Sequence, residues 1–352
     1  MAVRVAISGI RADGTESLCG KAARGYLRRL VPAERGRLLN HYELVKDRPE
    51  ILADRPVATF KKKSEPSEIA DALDSLGVVV LRRALPWWTL SKCHRIFRCF
   101  VGDLSGKPRM PAWHSGFENI LAKDDWPDIK GDDRETAIGS THMPWVVRDY
   151  NLSPAAMVIA ALLRSWTWPV VEELCKSTDI AILLRFCFAR HTIDKVGAFP
   201  AIQDASLVGR DIPFAIWIPF HRIALGRNPG LAFVTEWRSR QMLSEAASHV
   251  DGHEYVSWAF MTDPKRLWMP TYRAGDISIH GLYTPYFTTC SGVPSDSYSL
   301  EIRAMAREAA PLDFQDPAIY VGRRDGRATV VGSSCSDARH AKGFVTLLAG
   351  SK

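Results

Sequence analysis

No stretch of this 352-residue chain reaches the roughly 18 to 20 uninterrupted apolar residues that span a bilayer, and Met1-Ala2-Val3-Arg4 lacks the apolar core of a secretory leader. Cysteine is sparse and unordered. The seven residues Cys19, Cys93, Cys99, Cys175, Cys187, Cys290 and Cys335 form no CxxC pair and no ladder, which excludes a disulfide framework and fits free thiols in a reducing compartment. Dense basic runs are equally scarce: the net charge is +7 and the pI about 9.0, yet only Lys61-Lys62-Lys63 is clustered. Without a basic stripe interleaved with aromatics, nucleic acid is not the expected partner. Dispersed positive charge instead gives a solvated face or an attraction for an anionic small molecule. The expectation is a soluble, cytoplasmic protein with neither membrane nor nucleic-acid partners.

What is present is an ordinary globular composition, 46% apolar, enough for one large core or two small ones. Residues 1–65 are rich in Arg, Gly and Pro with short apolar groups and are read as an N-terminal extension. From Ser67, a suitable N-cap, Ile69, Leu73 and Leu76 recur at helical spacing up to Gly77. Val78-Val79-Val80-Leu81 follows as a β-branched strand, and Pro86-Trp87-Trp88-Thr89 opens a second helix to about Phe100. Residues 103–150, with Trp113, Trp126 and Trp145 among Gly, Pro and Asp, have no sustained period and read as loops over a cavity, a lid. Ser153-Pro154 starts a helix through Leu163, and Val170 to Cys175 forms another.

The period then changes to strands: Ile180 to Phe188, Phe214 to Phe220, Gly230 to Thr235, Asp276 to Ile279 and Tyr298 to Ala304. Helices first and antiparallel strands after them predict an α+β domain whose sheet closes into a sandwich or barrel.

Five short motifs occur in a telling order. They are Phe199-Pro200-Ala201-Ile202-Gln203-Asp204, Trp217-Ile218-Pro219, Asn228-Pro229-Gly230-Leu231, Gly275-Asp276 and Ser299-Leu300-Glu301-Ile302-Arg303. Together they resemble the phytanoyl-CoA dioxygenase (PhyH-like) family of the Fe(II)/2-oxoglutarate oxygenase superfamily over residues 66–308, leaving 309–352 as a C-terminal extension. The resemblance implies a double-stranded β-helix, or jelly-roll, cupin-like core flanked by N-terminal helices. In that family the first motif reads His-Gln-Asp and supplies iron ligands. Ile202 stands in the histidine's place, Tyr286 in that of the second histidine, and Ser297 in that of the 2-oxoglutarate arginine. Only Asp204 of four cofactor positions remains, so no metal and no cofactor are expected, with Fe(II) and 2-oxoglutarate as the runner-up.

A two-histidine, one-carboxylate face is what a mononuclear iron oxygenase needs. His280 lies six residues before Tyr286, about 20 Å along one extended strand at ~3.3 Å per residue, too far to substitute. His191 falls beyond the end of the Ile180 strand, His221 follows the Trp217 strand, and His249-Val250-Asp251-Gly252-His253 reads as a polar helix end or exposed loop.

With the metal gone, Asp204 and Tyr286 form the expected proton-transfer pair, Asp204 with a pKa raised by desolvation. Strand alternation places Asp204 and Ile202 inward and Gln203 on the other face. Arg303, six residues beyond Ser297, shares its facing and either holds an anionic ligand group or pairs with Glu301. Ile202, Gln203, Trp217, Ser297 and Arg303 are the expected substrate-binding residues. Three functions follow: a metal-independent enzyme of small-molecule, including secondary, metabolism; a non-catalytic accessory subunit that pairs with a related active oxygenase; and an iron and 2-oxoglutarate dioxygenase with non-standard ligands. The expected partners are a small substrate, neutral or anionic, and a second copy or a related oxygenase in a homo- or heterodimer.

Overall fold

A computed structural model describes residues 56–104, 142–143, 154–183, 188–193, 203–205, 212–224, 228, 230–236, 248–250, 253–255, 267–288, 296–309 and 318–333. The lid segment lies almost wholly outside these residues, and Ile202 lies outside them too.

The first strand, β1 (Thr59–Phe60), pairs in parallel with β2 (Val78–Leu81) and brings the end of the N-terminal extension into the sheet. Between them runs α1 (Pro66–Leu76). It begins one residue before the expected cap Ser67, because Pro66 occupies the first turn and the Glu68 carboxylate reaches back to the Glu65 N–H at 3.3 Å. It ends at Gly77, whose φ of 81° and N–H bond to the Leu73 carbonyl close the last turn. A Cβ at Gly77 would stand 2.7 Å from Thr284 Oγ1, so glycine is required there twice over.

Three further helices follow: α2 (Trp87–Leu104), α3 (Pro154–Leu163) and α4 (Trp168–Cys175), with α1 packed on α4 and α2 on α3. The strands after β3 (His142–Met143) are β4 (Ile180–Leu183), β5 (Phe188–Ile193), β6 (Phe214–Pro219), β7 (Leu231–Val234), β8 (Ser248–Val250), β9 (His253–Tyr255), β10 (Leu267–Trp268), β11 (Ile277–Gly281), β12 (Tyr286–Thr288), β13 (Asp296–Ala306), β14 (Ala318–Arg324) and β15 (Arg327–Ser333).

Ten of these strands form one sheet in the order β1-β2-β11-β6-β13-β4-β14-β15, with β5 also on β13 and β3 on β5. A smaller sheet runs β10-β7-β12, and β8 and β9 make a separate hairpin. The chain passes from large to small sheet between β6 and β7, returns at β11, crosses at β12 and returns at β13. The fold is therefore β-rich with helices on one side. The hairpin β14-β15, in the span read as a C-terminal extension, continues the large sheet by pairing with β4.

The core sits between the helices and the large sheet. Ile277 and Ile279 of β11, Phe214, Ile216 and Ile218 of β6, and Leu300 and Ile302 of β13 all belong to it, together with Ile69, Leu90, Val158 and Val171 from the helices. Each fully buried aliphatic side chain contributes about 1.5–3 kcal/mol of transfer free energy. Just before β11, Gly275 takes φ 100°, and a Cβ there would meet the Leu85 carbonyl oxygen at 2.5 Å. Asp276 then accepts from Arg82 Nη1 at 2.8 Å and from the backbone N–H groups of Arg83 and Arg273, both at 2.9 Å. The Gly-Asp turn thus ties β2 to β11.

Candidate functional site

Side chains alternate along a strand, so residues next to the core aliphatics on β6, β11 and β13 must face away from the helices. Those residues are Ala215 and Trp217, Ser278 and His280, and Ser297, Ser299, Glu301 and Arg303, all buried. The register aligns them in rungs: His280, Ala215 and Arg303 on one, and Ser278, Trp217 and Glu301 on the next. The opposite wall comes from the small sheet, where Phe233 of β7 lies 5.4 Å and Tyr286 of β12 4.6 Å from the His280 ring, centroid to centroid.

Asp204 stands between the walls. Residues 203–205 do not form a strand, contrary to the expected alternation. The segment is pinned instead by Ala205 N–H to the Leu282 carbonyl at 3.0 Å and by the Gln203 side-chain amide to the Tyr283 carbonyl at 2.6 Å. Asp204 Oδ2 accepts from Arg303 Nε at 2.7 Å, while Oδ1 accepts from Arg303 Nη2 at 2.8 Å and from the Tyr286 hydroxyl at 2.7 Å. Arg303 Nη2 also donates to Glu301 Oε2 at 3.1 Å. Two carboxyl groups therefore share one guanidinium in a fully buried cluster.

The direction of the Asp204 pKa is opposite to the one expected from sequence. Burial does press it upward, but the adjacent Arg303 charge, the neighbouring His280 and the Arg303 hydrogen bonds prevail and hold the carboxyl well below the usual carboxylate range. Arg303 is correspondingly raised: burial works against its charge, but Asp204 and Glu301 outweigh it. An aspartate held ionised cannot serve as a general acid near neutral pH. Arg303, committed to two protein carboxyl groups, is not held out towards a ligand anion.

His280 is the residue whose place the sequence hides. Its Nε2 lies 4.0 Å from Asp204 Oδ1, because the chain does not continue as one strand to Tyr286. β11 ends at Gly281, the Thr284 N–H bonds back to the Gly281 carbonyl at 3.0 Å, and β12 starts at Tyr286 in the other sheet. Gly281 and Pro285 bracket this turn and are the signal for it. Among the described residues, both His280 ring nitrogens, Trp217 Nε1 and Ser278 Oγ make no hydrogen bond within 3.5 Å although buried. Orphaned polar atoms of this kind mark a place where water or a ligand belongs.

Iron is the metal that the resemblance implies, and these residues do not fit it at Asp204. Both carboxylate oxygens are already taken, one of their donors is a fixed cation, and a second cation there would face Arg303 directly. The phenol at Tyr286 is spent on the same carboxylate. Among the described residues no group of three His, Cys, Asp or Glu side chains is arranged to hold a metal ion.

The remaining predicted residues are dispersed. Ser297 is buried on β13 opposite Thr192, but six residues from Arg303 amounts to about 20 Å along the strand. Trp217 shares the inner face and packs edge-on against Tyr272 at 4.9 Å. Gln203 is engaged by the Tyr283 carbonyl. His191 lies within β5 opposite Tyr298, not beyond a strand end. His221 sits on the helix side, where its Nε2 accepts from the Tyr298 N–H at 3.2 Å, its Nδ1 meets the Arg222 carbonyl at 3.0 Å, and its ring stacks on His94. His249 and His253 belong to the β8-β9 hairpin, not a loop or helix end, and pair with Glu254 and Val250 instead of with each other.

No family model matches the sequence, and no curated protein does. Solved structures similar to the chain include the apo form of the non-heme monooxygenase ThoJ, 16% identical over 73% of this chain and 85% of that one, with a TM-score of 0.47. The nickel complex of ThoJ is 13% identical over 80% and 95%, again at 0.47. The non-heme alpha-ketoglutarate-dependent epimerase SnoN from nogalamycin biosynthesis is 12% identical over 74% and 83%, at 0.37. All three are partial likenesses. No helix among the described residues is long and apolar enough to cross a membrane.

Proposed function

We propose that this chain is a double-stranded β-helix protein of the iron and 2-oxoglutarate oxygenase type, related to the PhyH-like family, that has given up the iron centre. It takes a small, oxygen-rich organic molecule between its two sheets and acts on it without metal. The strand order and the repeated crossing between sheets support the fold reading. The observation that carries the functional one is the closed arrangement at Asp204, where Arg303 and Tyr286 satisfy both oxygens at 2.7–2.8 Å at the position that the resemblance assigns to an iron ligand.

In this reading Asp204 is not the proton carrier but the fixed anion that aims the Tyr286 hydroxyl and balances Arg303. His280 takes the proton-exchanging role, since it stands beside both, and among the described residues its nitrogens make no hydrogen bond within 3.5 Å. Trp217 Nε1 and Ser278 Oγ, one rung away, supply donors for a carbonyl or hydroxyl oxygen of the bound molecule.

Anaerobic reconstitution tests the proposal, with iron content and 2-oxoglutarate binding measured on the wild type and on the Ile202→His, Tyr286→His, Arg303→Ala triple variant. The expected result is no stoichiometric iron on the wild type, with any uptake confined to the variant. Tight one-to-one iron binding by the wild type, with 2-oxoglutarate turnover, would overturn the metal-free reading.

A further inference from the structure

On the helix side of the large sheet, away from Asp204, lies a cavity of about 710 Å³, within the size range of small-molecule sites. It opens between the turn after β2, the first turns of α2 and the end of α3. Among the described residues, four cationic ones line it, Lys62, Arg83, Lys92 and Arg164, and no acidic one does. Like charges gathered on one concave surface repel one another and concentrate a positive potential, which an anion relieves.

The walls between the charges are aromatic. Trp88 lines the cavity yet remains 63% exposed, an unusual state for an indole with a concave surface beside it. Trp166 is fixed in place by its Nε1–H, which donates to the Arg83 carbonyl at 3.2 Å. Arg83 itself sits at φ 53°, in the left-handed region that non-glycine residues seldom adopt. Its N–H is held by Asp276 Oδ1 at 2.9 Å and its carbonyl by Trp166, so the residue is locked in that conformation from both sides. The Arg83 backbone and the Trp166 ring are therefore fixed on the wall of the cavity, while the charged side chains that line it reach into solvent.

We propose that this cavity binds a polyanionic small molecule carrying a planar ring, of the nucleoside polyphosphate class. Arg83, Lys92 and Lys62 take the phosphate oxygens, and the ring lies against Trp88 and Trp166. Three cations call for more than one negative charge on the ligand, and the Arg83 guanidinium fork suits phosphate. This assigns the basic character of the chain to a site separate from the one between the sheets, where Arg303 is already neutralised by protein carboxyl groups.

Isothermal titration of the full chain with ATP, inorganic tripolyphosphate and adenosine tests the assignment. ATP is expected to bind most tightly, tripolyphosphate less so and adenosine least, with affinity for ATP falling as salt rises. Arg83→Ala and Lys92→Ala should each weaken ATP binding about tenfold, the effect of losing one charge-assisted hydrogen bond. Trp88→Ala should weaken ATP but leave tripolyphosphate unchanged, and Trp217→Phe, on the other face of the sheet, should leave both unchanged. Absence of ATP binding, or ATP binding indifferent to both Arg83→Ala and Lys92→Ala, overturns the site. Equal affinity for ATP and tripolyphosphate overturns the ring contact, and binding of a polyglutamate peptide in place of ATP overturns the small-molecule class.

Discussion

The two faces of β6, β11 and β13 are built on the same hydrogen-bond ladder and could hardly differ more. Towards the helices stand Phe214, Ile216, Ile218, Ile277, Ile279, Leu300 and Ile302, an aliphatic surface that packs and needs no partner. Towards the small sheet stand Trp217, Ser278, His280, Glu301 and Arg303, equally buried but polar, ionised or orphaned. A chain selected for stability alone would fill both faces with the first kind. The second kind is costly to bury and is found where a site is held ready at stability's expense.

The inner face is most vulnerable to loss of the charge that holds it together. Arg303→Met leaves two carboxyl groups buried without their cation, and should lower unfolding free energy by about 3–5 kcal/mol in denaturant titration. Its pH dependence should also reverse sign. In the wild type the folded-state pKa of Asp204 is depressed, so its stabilisation is complete above the unfolded value near ~3.9 and fades as pH falls below it. Without Arg303, burial raises that pKa, and the variant should instead gain stability on acidification. The adjacent outward residue gives the control: Ile302→Ala should cost about 2–5 kcal/mol with no pH signature, since only a cavity is made.

Smaller effects separate the two faces further. Tyr286→Phe deletes one hydrogen bond to a buried carboxylate and should cost about 1.5–3 kcal/mol by thermal unfolding. Trp217→Phe removes a donor that has no partner among the described residues, so stability should change by less than about 1 kcal/mol. A loss as large as that of Tyr286→Phe would show that Trp217 Nε1 is satisfied after all. Least affected should be the thiols of the outer core. Burial pushes Cys93 and Cys175 up to about 12, so mass spectrometry after alkylation at pH 8 should find both unmodified in the native protein.

Elements defined by local pattern are legible in the amino-acid sequence itself. Residues 66–104 read as helix, strand, helix because capping, periodicity and β-branching agree there, and the inward facing of Arg303 follows from parity alone. Features that depend on where the chain turns, or on a distant partner, are not legible in the same way. An extended path through Gly281-Leu282-Tyr283-Thr284-Pro285 puts His280 about 20 Å from Tyr286, whereas the turn there brings the two rings together. Burial alone predicts a raised pKa for Asp204, because nothing local announces the clasp of Arg303, 99 residues on. The C-terminal hairpin escapes pattern reading because its strands, ending in Gly322-Arg323-Arg324 and beginning in Arg327-Ala328, are half solvent-facing and lack a continuous apolar run.

The cap of α1 also bears on the order of assembly. The Gly77 carbonyl accepts both the Gly281 N–H at 2.9 Å and the Thr284 hydroxyl at 2.6 Å, so the turn that swings Tyr286 against His280 is latched by a residue about 200 positions earlier in the chain. Contacts of such sequence separation form slowly, because a long loop must close before they repay its entropy. During synthesis the helical third can fold early, but its latch stays empty until β11 and β12 have emerged. Refolding should accordingly show two phases: a fast one reporting helix formation, and a slow one, sensitive to Thr284→Val, in which the inner face is completed.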